Sequence, residues 1–199
     1  MGYTHYYHVN SYYDKQSWDN LVKDVKKLLE INCKGSEYKM NSTDDSVCTL
    51  GDLIERRSTG DSITSSVTGG YYRLDKDEIS FNGVGENAHE QFQLYQRMPP
   101  DVFERHEELA KSHSRLTGIL QLRTPFFEFT KTAHKPYDLV VCCCLLLAKK
   151  HLRDDIVVTS DGDWDEWQNA MKIIVNDFGY KIKEVAEDNW QKVGMFEVI

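Results

Sequence analysis

Ten consecutive apolar residues at positions 139–148, LVVCCCLLLA, constrain this chain more than any other stretch. The run is about half of the roughly 20 residues that a bilayer-spanning helix needs. A helix that is apolar on every side has to lie inside a domain. The flanks read as helix ends. Pro136 suits a first turn, where its missing N–H costs nothing. Asp138 stands at the positive end of the helix dipole, and Lys149, Lys150 and His151 stand at the negative end. Residues 126–130 read as a strand and 156–159 as a short buried strand on the other side, giving strand, helix (136–151), strand. The expected fold class is α/β, with α+β as its nearest variant. One domain covers residues 1–199, with a mixed sheet, packed helices and loop excursions at about 34–70 and 97–124.

The remaining pattern supplies elements for that core. Residues 1–9 alternate as a strand does, with Thr4, Tyr6 and His8 on one face and Tyr3, His5 and Tyr7 on the other. His5 and His8 therefore do not share a metal. Residues 14–32 place Trp18, Leu21, Val22, Val25, Leu28 and Leu29 on one helical stripe, capped by Asp14 or Ser17. Residues 71–81 read as a hairpin, Asn82-Gly83 as a tight turn and 91–95 as a strand. Asp101 caps a helix to about Ser112, and 116–122 adds an apolar segment. A further helix opens after Ser160-Asp161-Gly162, runs to Phe178 and ends at Gly179. Residues 180–185 and 190–199 read as last strands.

The net charge of −8 argues against a basic nucleic-acid-binding surface. Residues 154–199 hold eleven acids and four bases, a net of −7, so nearly all the excess lies there. This is either a solvated face or a surface that meets a basic partner, with Asp161, Asp163, Asp165 and Glu166 as the candidate contacts. Cys142, Cys143 and Cys144 are adjacent on a helix and point in different directions, so the three cannot converge on one metal. They read as small buried hydrophobes. Five cysteines without a C-x-x-C pair imply a reducing compartment, and the expected setting is the cytoplasm, with no membrane segment. No metal site and no cofactor are expected.

Three groups of residues invite a chemical reading. Glu86, His89 and Glu90 at a turn suit acid–base work, or else form a loop locked by its own hydrogen bonds. Lys131, Thr132, Lys135 and Tyr137, with Asn82 and Asp138 nearby, precede a helix N-terminus and suit a nucleotide or small anion, with His5 or His89 completing the pocket. A metal-dependent hydrolase would have to draw on His5, Glu86, His89, Glu90, Asp161 and Asp163, which come from separate segments. Asp161-x-Asp163-x-Asp165 lacks the glycine and distal glutamate of an EF-hand.

Four blocks carry a resemblance. The GYTHY opening, Phe81-Asn82-Gly83 followed by His89-Glu90, Lys131-Thr132-x-x-Lys135-Pro136-Tyr137-Asp138, and Ser160-Asp161-Gly162-x-Trp164 resemble a family of small, mostly uncharacterised bacteriophage and prophage proteins. The resemblance implies a phage or mobile-element origin, and assigns no reaction and no catalytic residue. Thr130 stands where that pattern has Cys, which weakens any thiol-nucleophile proposal for this block. Charge asymmetry and resemblance together lead to an expected function. The protein would be a binding protein that antagonises host defence, with a CRISPR nuclease and its basic nucleic-acid channel as the target considered.

Overall fold

The computed structural model describes residues 2–33, 49–56, 72–112, 126–189 and 194–199. Its axis is α3 (Asp138–Leu152), which is buried without interruption from Val140 to Lys149. A helix with no polar face needs neighbours all round, and it has them. α1 (Lys15–Leu29), α4 (Gln168–Phe178), β6 (Ile156–Ser160) and β8 (Phe196–Val198) all pack on it. α1 turns Trp18, Leu21, Val22, Val25, Leu28 and Leu29 inward, and Asp14 caps it by accepting from the Gln16 and Ser17 amides.

The strands form three small antiparallel sheets. In the first, β1 (Thr4–Val9) lies between β5 (Phe126–Lys131) and β6, with His5 opposite Thr130 on one side and Ser160 on the other. β2 (Arg73–Leu74), β3 (Glu78–Phe81) and β4 (Phe92–Tyr95) form the second, and β7 (Ile182–Glu184) pairs with β8 in the third. α2 (Pro100–Ser112) follows β4.

The α/β class and the strand–helix–strand unit hold, but the sheet is not mixed: every described pairing is antiparallel. The reason is that β1 enters between β5 and β6, so the crossover through α3 spans a place already filled. α4 also starts later than expected, at Gln168, because residues 164–167 form a separate turn. Most of the first excursion and the 116–122 segment lie outside the described residues; within the first excursion, Leu50–Leu53 forms a buried 3-10 turn. Among the described residues no helix is long and apolar enough to cross a membrane.

Lys149, at the negative end of the α3 dipole, is buried. Its buried ammonium donates to the carbonyls of Arg153 and Ile156, and burial lowers its pKa. The Cys143 and Cys144 thiols are shifted the other way, raised above their ordinary value of 9.0 by burial. Above that pH the unfolded chain releases their protons while the folded chain keeps them. Stability is therefore full below about pH 9 and falls as pH rises, by about 1.4 kcal/mol per unit per thiol. Lys149 opposes with one group, because its unfolded form holds the extra proton. Urea unfolding from pH 8 to 10.5 is expected to show a net loss of stability, and a Cys143→Ala/Cys144→Ala variant should show a flatter alkaline limb.

Candidate functional site

Strand alternation turns His5 inward, where it is wholly buried. Its two ring nitrogens meet residues from far along the chain. Nε2 lies 2.8 Å from Asp138 Oδ1, at the first residue of α3. Nδ1 lies 2.9 Å from Ser160 Oγ, at the last residue of β6. Cys142 stands one helical turn beyond Asp138, on the same face. Its Sγ is 3.5 Å from His5 Nε2 and 3.8 Å from Asp138 Oδ2. The Thr132 hydroxyl, fully buried, donates to Asp138 Oδ1. Ser160 Oγ accepts the Gly162 amide at 3.0 Å and lies 3.4 Å from the Thr4 carbonyl.

Aromatic rings wall this cluster. Tyr3 and Trp167 approach His5 edge-on, with centroids at 5.0 and 5.1 Å. Tyr3 in turn stacks at 3.8 Å on the exposed His134. His134 and Ala133 both hold left-handed backbone, at φ 55° and 51°. Such a conformation costs a non-glycine residue about 1–2 kcal/mol, and here Tyr3 offsets it: its carbonyl accepts both the Thr132 and Ala133 amides. Trp167 Nε1 is buried with no hydrogen-bond partner among the described residues, a cost of about 1–3 kcal/mol.

The two neutral tautomers of His5 make different demands on the cluster. In one, the Ser160 hydroxyl donates to Nδ1 and Nε2–H donates to Asp138. In the other, the hydroxyl turns to the Thr4 carbonyl, Nδ1–H donates to Ser160 Oγ, and the Nε2 lone pair faces the Asp138 carboxylate, a pairing that needs a cation or a proton between the two acceptors. The Gly162 amide fits both, because Oγ has two acceptor positions. Burial raises the Cys142 thiol well above its ordinary pKa, and the Asp138 carboxylate adds to it. Burial likewise raises Tyr3, reinforced by Cys142 and Asp138.

The expected pocket divides in two. His5, Thr132 and Asp138 meet in the buried cluster. Asn82, Glu86, His89, Glu90, Lys131, Lys135 and Tyr137 form a separate hydrogen-bonded knot beside it. Asn82 accepts the Gly83 and His89 amides and donates to the His89 carbonyl. Glu90 accepts the Lys131 amide, and Tyr137 donates to the carbonyls of Glu90 and Lys131. His89 Nδ1 is 2.9 Å from the Lys131 carbonyl. The locked-loop reading of Glu86, His89 and Glu90 is thus the one the geometry favours. The lysines do not converge on an anion: Lys135 donates to the Glu86 carbonyl, and Lys131 lies 3.8 Å from Glu90. The six-residue metal set does not assemble either, since only His5 of that set belongs to the buried cluster.

The acidic candidates sit directly above. Asp161, Asp163, Asp165 and Glu166 are all exposed, on the turn from β6 to α4. Asp161 accepts from Tyr6, Asp163 accepts the Asp165 and Glu166 amides, and Glu166 accepts the Asp163 amide. The turn is therefore braced from within, and Asp163 and Glu166 do the capping. Among the described residues none of the four forms an ion pair.

No known protein family, curated protein or solved structure matches this chain.

Sequence reasoning missed Tyr3, Cys142, Ser160 and Trp167 as members of the site. Spacing offered one signal: Asp138 and Cys142 are four apart on a helix and must share a face. Gly162 fixes the contact between turn and cluster, for a Cβ there would lie 2.1 Å from the Tyr3 hydroxyl. Gly162→Ala should lower the unfolding free energy by about 1–3 kcal/mol in urea titration, through overpacking.

Proposed function

We propose that the protein acts by binding a basic macromolecular surface through the acidic turn at residues 161–166, and that the partner is a component of host defence. The observation that carries this is the presentation of Asp161, Asp163, Asp165 and Glu166: exposed and unpaired with cations among the described residues, with Asp163 and Glu166 bonded to amides of their own turn and Asp161 to the Tyr6 hydroxyl. Charges fixed before binding lose little freedom on docking. They also steer an oppositely charged partner at long range. The net of −7 over residues 154–199 extends the field beyond the turn. The resemblance of the four blocks to phage proteins supports a target in the bacterial cell. A nuclease with a basic nucleic-acid channel is the class whose charge complements this face.

The test separates charge from folding. Asp161 and Asp165 are changed to Lys, while Asp163 and Glu166 are changed to Asn and Gln, which keep their capping acceptors. Against a panel of purified host-defence nucleases, native protein should inhibit one and bind it more weakly as salt rises. The four-site variant should associate at least about tenfold more slowly at low salt. Inhibition unchanged in the variant would sink the acidic-face reading.

A further inference from the structure

The geometry points to a zinc-class divalent metal site at His5 Nε2, Asp138 carboxylate and Cys142 Sγ, a site no residue pattern in the sequence announced and one independent of the acidic-face reading. The three donor atoms lie within 4.8 Å of one another. A tetrahedral ion with bonds of about 2.0–2.1 Å to N and O and about 2.3 Å to S sets N···S and O···S separations of about 3.6 Å and N···O of about 3.3 Å. The observed Sγ separations, 3.5 Å to Nε2 and 3.8 Å to Asp138 Oδ2, bracket that requirement. The Nε2–Oδ1 separation is 2.8 Å. An ion held by Oδ2 would replace that hydrogen bond, and one held by Oδ1 instead would part Oδ1 and Nε2 by about 0.5 Å.

The surroundings are those of a metal site as well. A ligating histidine commonly has its other nitrogen fixed by a second group, and ligating carboxylates are themselves hydrogen-bonded. Ser160 does the first here and Thr132 the second. Of the two proton arrangements, the one with the proton on Nδ1 leaves the Nε2 lone pair free for an ion. Reaching it moves the imidazole proton from Nε2 to Nδ1, by exchange with solvent, and rotates the Ser160 hydroxyl toward the Thr4 carbonyl. The Cys142 thiol proton leaves to solvent as the ion binds, so that Sγ coordinates as thiolate. Thiolate, carboxylate and a neutral imidazole then balance a divalent charge, and no net charge is buried.

The donor set selects the metal. Nitrogen, sulfur and one carboxylate suit zinc and its cobalt surrogate and disfavour magnesium and calcium, which take oxygen. Three protein donors leave a fourth position for water or another ligand. Access to it runs past Asp138, whose side chain alone among the three donor residues is partly exposed, at 19%. The acidic turn above makes the surrounding potential favourable to a cation. Cys143 takes no part, because its thiol points to the Ala170 carbonyl.

The full chain, stripped with chelator, is titrated with Co²⁺ and followed by absorption, with Zn²⁺ as competitor. One Co²⁺ per chain should give a near-ultraviolet thiolate-to-cobalt charge-transfer band and the intense visible bands of a tetrahedral ion, both abolished by Zn²⁺. Cys142→Ala should lose the charge-transfer band and Cys144→Ala should keep it. Ser160→Ala should keep the band and bind about 10- to 100-fold more weakly, as loss of an outer-shell partner does. No charge-transfer band in native protein would overturn the site, whether or not any variant folds. So would a band that survives in folded Cys142→Ala.

Discussion

A wholly buried imidazole must be satisfied at both nitrogens, and that requirement organises this molecule. His5 lies on the first strand, while its partners Asp138 and Ser160 begin α3 and end β6. One ring thus links the sheet to the helix that the core is packed around. Losing either partner would leave a nitrogen of the buried ring without its bond, at about 1–3 kcal/mol each. The bonds therefore specify where the apolar helix docks on the sheet; burial of its apolar side chains drives the docking itself.

The segment Ser160-Asp161-Gly162 divides its residues between two environments. Ser160 faces down to His5, Gly162 lets Tyr3 pass against the backbone, and Asp161 faces out to Tyr6 and solvent. The acidic turn is consequently seated on the polar cluster. A change in the cluster, by mutation or by an ion, reaches the turn through bonded neighbours rather than through a long path.

Much of the fold was legible because local pattern sufficed. The apolar run required a buried helix, alternation put His5 and Tyr7 on one face of the strand, and Asp14 and Gly179 marked helix ends that the structure shows. Antiparallel pairing was not legible, because the insertion of β1 between β5 and β6 is a choice of topology that no short window encodes. The site was half legible. Thr132 and Asp138 were legible as polar residues near a helix start and His5 as a histidine that could complete their pocket, yet grouping them with Lys131 and Lys135 relied on sequence proximity. The structure separates them at Tyr137, whose ring lies in the core and whose hydroxyl bonds the knot. Cys142 was read as a hydrophobe because burial and ligation leave the same mark in an apolar run.

The central claim is that Asp138, His5 and Ser160 act as one unit. A double-mutant cycle between Asp138→Asn and Ser160→Ala, measured by urea unfolding of the chelator-stripped protein, addresses it directly. Both side chains bond the His5 ring, from opposite nitrogens, so an interaction energy reports on transmission through the cluster centred on it. The account predicts a coupling of at least about 0.5 kcal/mol, in the range seen for residues sharing one network. Additivity within about 0.3 kcal/mol would show that the two bonds are independent and would contradict the account.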